Sequence, residues 1–305
     1  MTLCKFPTSN SQLPRRASGN GLLGVGNWQL GVVVLAAAVL VAVFPRPGEG
    51  QAYRAPRTAA GQPDLNGFWQ ALNTAHWDLE AHEAAPGPVL QLGAAYAVPP
   101  GQGVVMDGPI PYRADALAMK KKYAADALRE DAEIKCYLPG VPRMMYMPYP
   151  VQIVQSDSTI MMMSEFASAI RTIYMNGNAS PPADTWMGWS NGKWDGDTLV
   201  IDSKGFMGGT ISALDGEGTI HVRFLDRAGN YHTDGLHVVE RIRRTGPDHL
   251  LYQATIEDPN VYTRPWTISM PLYRRLEPNM QLGEFKCEEF VGDLIFGKYQ
   301  KGPAR

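Results

Sequence analysis

From Val151 onward the chain runs in short alternations of apolar and polar residues, with a turn signal roughly every 8–15 residues and no helical periodicity between them. No other feature constrains the fold as strongly. Val151–Gln155 and Thr159–Phe166 flank Ser156-Asp157-Ser158, Ile170–Met175 ends at Asn176-Gly177, and Thr198–Asp202 follows the turn Trp194-Asp195-Gly196-Asp197. Thr219–Leu225, Leu236–Arg244, Leu250–Glu257, Trp266–Leu272 and Glu284–Phe290 continue the series, and an aromatic strand lies earlier in DLNGFWQALN, from Asp64. The turn Thr245-Gly246-Pro247-Asp248 carries the strongest hairpin chemistry. About nine strands without intervening helices predict an antiparallel barrel or sandwich, and a barrel leaves no open edge.

Ahead of this region the character of the chain changes. Residues 1–48 contain no Asp or Glu, and Lys5, Arg15 and Arg16 precede an apolar run from Leu30 to Phe44. This reads as an export signal cleaved after Ala52, or as an uncleaved membrane anchor if the helix extends back through Val25. Arg15-Arg16 also opens a twin-arginine reading. The run itself, roughly 15 residues, reaches only ~22 Å as a helix against a ~30 Å bilayer core. Residues 53–63 form a polar leader, and 84–112 a long Pro- and Gly-rich excursion. A helix is predicted over about 113–134, with Leu117, Tyr123 and Leu128 on its apolar stripe. Residues 64–300, helix included, then constitute one barrel domain.

Removal of residues 1–52 takes away four basic residues and one acidic one, moving the net charge from −2 to about −5. With no basic stripe, nucleic acid is excluded as a partner, and a membrane contact is expected only through an uncleaved N-terminal segment. Cys136 and Cys287 are the cysteines of the exported chain. In an oxidising compartment they predict one disulfide, with two buried free thiols as the other reading.

Strand parity gives the first candidate site residues. In Leu236–Arg244, Glu240 shares a face with Leu236, Val238 and Ile242, whereas His237 lies on the opposite face. In Ile170–Met175, Arg171 shares a face with Ile173 and Met175, and Tyr174 lies on the other. An acid and an arginine inside a barrel are costly unless paired, so Arg171 and Glu240 are expected to meet, as a structural or a catalytic pair. His237 is the best candidate general acid–base, since an unperturbed imidazole titrates near neutral pH, and Asp234 in HTDGLH is placed to orient it.

Other patterns in the sequence have plainer explanations. The G-x-G-x-x-G of residues 19–24 lies in the leader, without a βαβ unit, and carries no dinucleotide site. Gly188-Trp189-Ser190-Asn191-Gly192 satisfies G-x-S-x-G, making Ser190 an alternative nucleophile, but a turn follows where the elbow needs a helix. No H-x-H, H-E-x-x-H or cysteine pair of zinc type occurs, so neither metal nor cofactor is expected. Trp186, Trp189, Tyr174 and Trp266 suit a pocket for a flat hydrophobic ligand, and they equally suit core packing. The acid pairs Asp195/Asp197 and Glu288-Glu289 read as solvated turn residues rather than glycosidase carboxylates.

Several phrases resemble a large family of exported bacterial proteins: PDLNGFW (63–69), CYLPGVPR (136–143), PYPVQIVQ (148–155), RTIYMNG (171–177), TWMGWSNGKWDGDTLVIDSKGF (185–206), HTDGLHVVERIRR (232–244) and IEDPNVYTRPW (256–266). The resemblance spans nearly the whole exported chain and supplies no residue roles. Gly67-Phe68-Trp69 also resembles the G-x-W start of lipocalin-like barrels. The expected fold is therefore mainly β: a lipocalin-like antiparallel barrel with one helix and a long irregular N-terminal excursion. The expected function is acid–base chemistry of lyase, isomerase or hydrolase type on a hydrophobic, aromatic or polycyclic small molecule held in an apolar pocket. His237 would act with Asp234, while Arg171 binds negative charge. The alternatives are a small-molecule carrier, a serine hydrolase using Ser190, and a structural envelope protein.

Overall fold

The structure, a computed structural model, describes residues 53–87, 93–94, 97–106, 108–125, 127, 131–208, 210–212, 219–221 and 224–285. Residues 1–52, Cys287 and residues 286–290 of the last expected strand lie outside them.

Nine strands close into a barrel: β1 (Gly67–Gln70), β2 (Val151–Gln155), β3 (Thr159–Ser164), β4 (Ile170–Met175), β5 (Trp189–Asp195), β6 (Thr198–Lys204), β9 (His237–Gly246), β10 (His249–Glu257) and β11 (Trp266–Arg274). The ring order is β1-β11-β10-β9-β6-β5-β4-β3-β2. A separate short hairpin, β7 (Thr210–Ser212) with β8 (Thr219–His221), forms between β6 and β9. The mainly-β barrel expected from the sequence is what the chain adopts.

Three local expectations change. Residues 189–195 form β5, a strand absent from the expected series; it runs into the expected turn Trp194-Asp195-Gly196-Asp197, where the φ of +57° at Gly196 suits a residue without a Cβ. β5 runs parallel to β4, with Ile173 opposite Ser190 and Tyr174 opposite Asn191, whereas every other pair in the ring is antiparallel. The chain from 176 to 188 supplies the crossover that a parallel pair demands. The expected helix is described over α1, Ala114–Ala125, and its expected last turn is a one-turn 3-10 helix at Ala132–Lys135. Ala116 and Tyr123 are its buried residues, while Leu117 is exposed. At the end of the expected strand set, residues 284–285 are not extended into a strand.

The burial of β9 alternates strictly from Val238 to Gly246, so Val238, Glu240, Ile242 and Arg244 face inward. On β4 the inward residues are Arg171, Ile173 and Met175. Trp69 lies fully buried on β1; its Nε1 donates to Leu65 O at 2.9 Å, and the Arg244 and Arg274 guanidiniums sit over its ring at 5.7 and 5.8 Å. Ile153, Ile160, Met162, Ile173, Leu199, Ile201, Val238, Ile242, Tyr252, Ile256 and Ile268 have essentially no accessible surface. A residue bordering a void wide enough for water would show some, so the walls meet in a packed core at these positions. The apolar hollow expected inside the barrel is replaced by this core.

Candidate functional site

Inside the core, five strands contribute to one polar network. Arg171 on β4 donates through Nη1 to Glu240 Oε1 at 3.0 Å, and its Nη2 bonds Glu240 Oε2 as well. Its Nε donates to Ser190 Oγ on β5 at 2.9 Å, and Nη2 to Ser203 Oγ on β6 at 2.7 Å. Tyr252 on β10 donates its hydroxyl to Glu240 Oε1 at 2.8 Å. Burial, reinforced by the Glu240 charge, pushes the Tyr252 phenol well above its ordinary pKa, so it stays a donor. Arg171 is 2% exposed and Glu240 0%. The expected meeting of this acid and this arginine is therefore realised, as a bidentate pair with its remaining polar atoms bonded.

The other expected catalytic residues stand elsewhere. His237 lies on the outer wall, its Nε2 3.1 Å from Asp202 Oδ2 on β6 and its Nδ1 3.4 Å from Glu257 Oε2 on β10. Asp234 is exposed on the turn before β9, so the carboxylates that orient His237 are Asp202 and Glu257 instead. The barrel wall separates His237 from the Arg171 side chain, and the expected acid–base assembly is not brought together. Ser190 lies within a strand followed by a hairpin, not on a strand-to-helix elbow; its buried hydroxyl is held by Arg171 and lies 3.0 Å from Ser203 Oγ.

The aromatic residues converge, but on the outside of the barrel. Tyr174, Trp186 and Trp189 line a cleft of about 310 Å³ together with Leu138, Ile170, Thr172 and Thr185. Two stacked pairs frame it. Tyr174 lies on Trp189, ring centroids 4.5 Å apart and planes 18° from parallel, and Trp186 lies on Tyr137 at 5.2 Å and 9°. Ile170, 56% exposed, adds an uncovered aliphatic rim. Trp266 is not part of this cleft: it is buried at the start of β11, edge-on to Tyr262 at 5.3 Å.

A second ionic cluster escaped sequence reading. Arg143 donates to both oxygens of Asp131, at 2.7 and 2.8 Å, and to Glu133 Oε2 at 2.8 Å. Glu133 also accepts from Arg227 Nε at 2.8 Å and Nη2 at 2.5 Å. Arg227 lies over the Trp77 ring at 4.3 Å, and its backbone N–H donates to His76 O. Burial disfavours the Arg143 charge, but the two carboxylates outweigh it and raise the pKa. Burial, backed by the Arg227 charge, lowers His76 from 6.5 to about 4, so the ring is neutral at neutral pH. Burial and the neighbouring Asp78 charge raise Asp226 to about 7, beside Asn230 and the Leu79 amide, which both donate to it. Nothing in the spacing of these residues announces the cluster, since Asp131, Glu133 and Arg143 lie at two separate one-turn 3-10 helices too short to show a period.

The depressed His76 pKa fixes the sign of a pH effect. Its contribution to stability is complete above 6.5 and is lost as pH falls toward 4, because the unfolded chain then binds the extra proton. Relative to the native protein, His76→Gln is expected to gain about 2 kcal/mol on going from pH 7.5 to pH 5. Urea unfolding of both proteins at the two pH values measures this, and an unchanged difference contradicts it.

Cys136 is a half-cystine; Cys287, its expected partner, lies outside the described residues. Among the described residues no cluster of three or more His, Cys, Asp or Glu side chains is placed to hold a metal ion, and no helix is long and apolar enough to cross a membrane. In comparison with known proteins, the chain matches no family model and no curated protein.

Proposed function

We propose that the protein binds a flat, mainly apolar small molecule in the outer cleft framed by Tyr174, Trp186 and Trp189, as a carrier rather than as an acid–base enzyme. The observation supporting this reading is the convergence of three aromatic residues, distant in sequence from Leu138, on one concave surface. Rings offer large contact area at low entropic cost, and the exposed Ile170 rim remains to be covered by a guest. The position of His237, on the wall beside Asp202 and outside the residues of this cleft, argues for binding over turnover. Export with cleavage after Ala52 and the pairing of Cys136 with Cys287 belong to the same proposal, supported by the acid-free stretch 1–48 and by the half-cystine at Cys136.

The test uses 4-methylumbelliferone, a flat bicyclic probe, titrated calorimetrically. Saturable binding is expected, weakened roughly tenfold or more in Trp186→Ala, the loss that follows from removing one large aromatic contact. Equal affinity for native and variant proteins would overturn the assignment of the cleft.

A further inference from the structure

A second cleft, of about 450 Å³, lies farther along β5 and reaches onto β6, and its lining carries amide and charged side chains in place of aromatic ones. Asn176, Asn178, Asn191, Lys193 and Asp202 line it. The two clefts are neighbours along β5, and the chain just beyond the end of β4 enters the second. Tyr174 lines the aromatic cleft and Asn176 the polar one; Trp189 lines the aromatic cleft and Asn191, two residues on along the same face of β5, the polar one. Tyr174 and Trp189, stacked on each other, line the aromatic cleft and not the polar one.

The polar cleft is equipped in a particular way. Asp202 is matched by Lys204, 3.5 Å away, and held by His237 Nε2 at 3.1 Å, so its carboxylate is fixed in place as an acceptor. Lys193 is exposed and has no ion pair among the described residues, which leaves one uncompensated positive charge in the lining. The Asn176 and Asn178 amides likewise have no side-chain partner among the described residues. Asn191 braces the turn, its Nδ2 donating to Ala179 O at 2.9 Å, while its Oδ1 is buried without a partner against Gly177. An ammonium suits a carboxylate, and amides beside a fixed carboxylate acceptor suit hydroxyl groups.

We infer that the ligand is amphipathic: a flat apolar portion in the aromatic cleft, joined to a hydroxylated carboxylate, of the sugar-acid class, whose carboxylate meets Lys193 and whose hydroxyls meet Asp202 and the asparagine amides. The first half rests on the proposed function; the second stands on the polar cleft alone.

Four probes separate the two halves: 4-methylumbelliferone, its β-D-glucuronide, its β-D-glucoside and free glucuronate, with affinities from calorimetry and saturation-transfer NMR on the intact exported chain. The glucuronide is expected to bind at least tenfold more tightly than 4-methylumbelliferone and several-fold more tightly than the glucoside. Lys193→Gln, an exposed substitution, is expected to erase the advantage over the glucoside without changing affinity for 4-methylumbelliferone, and Lys193→Arg to retain it. A glucuronide no tighter than the parent coumarin, or insensitive to Lys193→Gln, overturns the inference. If 4-methylumbelliferone fails to bind, the aromatic-cleft reading falls. Glucuronate alone then decides the polar half: contact with the native protein but not with Lys193→Gln upholds it, and no contact with either overturns it.

Discussion

Glu240→Ala is expected to cost about 3–5 kcal/mol of folding stability, lowering the melting temperature by roughly 10 °C for a domain of this size. The reason lies in what the substitution leaves behind. Arg171, 2% exposed, keeps only the Ser190 and Ser203 hydroxyls as partners, and Tyr252 loses the acceptor for its own hydroxyl. An unbalanced guanidinium in a packed apolar interior is more costly than the missing contact itself. Arg171→Met combined with Glu240→Leu removes both charges and is expected to recover most of the loss. Urea unfolding of the native, single and double variants at pH 7.5 forms the required cycle. A single-variant loss below about 1 kcal/mol, or a double variant as unstable as the sum of the singles, would refute the account.

Arg143→Met is expected to be comparably damaging, by about 3–5 kcal/mol near neutral pH, and the damage is expected to shrink in acid. Asp131 is fully buried and takes both of its charged hydrogen bonds from Arg143, and burial raises its pKa even with that partner present. Without Arg143 the carboxyl rises further. A raised folded-state pKa gives stability that is present below the unfolded value and lost as pH climbs through the folded one. The deficit of the variant must therefore grow from pH 5 to pH 8. Glu133 is buffered against the change, because Arg227 still binds both of its oxygens. Denaturant midpoints across that range give the answer, and a deficit independent of pH would show that Asp131 is not the group left stranded.

The legibility of this molecule in its sequence follows the range of the interactions involved. β2 and β4 begin and end where alternation and turn residues place them, because those signals are local. The inward orientation of Glu240 and Arg171 was readable from parity for the same reason, and their pairing followed from the cost of burying charge. β5 was hidden because Trp189-Ser190-Asn191-Gly192-Lys193-Trp194-Asp195 contains no β-branched residue and includes a glycine that reads as a break. That glycine has a packing role: a Cβ at Gly192 would sit 2.6 Å from the Ile173 side chain across the parallel pair. The partners of His237 were illegible for a different reason. Asp202 and Glu257 become its neighbours only once β6, β9 and β10 are known to lie side by side, with Glu257 opposite His237 and Asp202 opposite Val239. Local alternation fixed the face of the histidine and suggested Asp234, three residues back, as its acid, whereas the carboxylates beside the ring come from other strands.

The parallel seam between β4 and β5 has a further consequence. Strands around a hoop can alternate up and down indefinitely only if their number is even; with nine, two like-directed neighbours must meet somewhere. The misfit is therefore topological and cannot be repaired by any choice of side chain. This chain places it at a junction of three paired residues on each side, Ile173–Met175 against Ser190–Gly192, with the aromatic cleft beside it and the second cleft farther along β5. A guest lying across that join would act as a rivet on the one place where the hoop's weave changes direction.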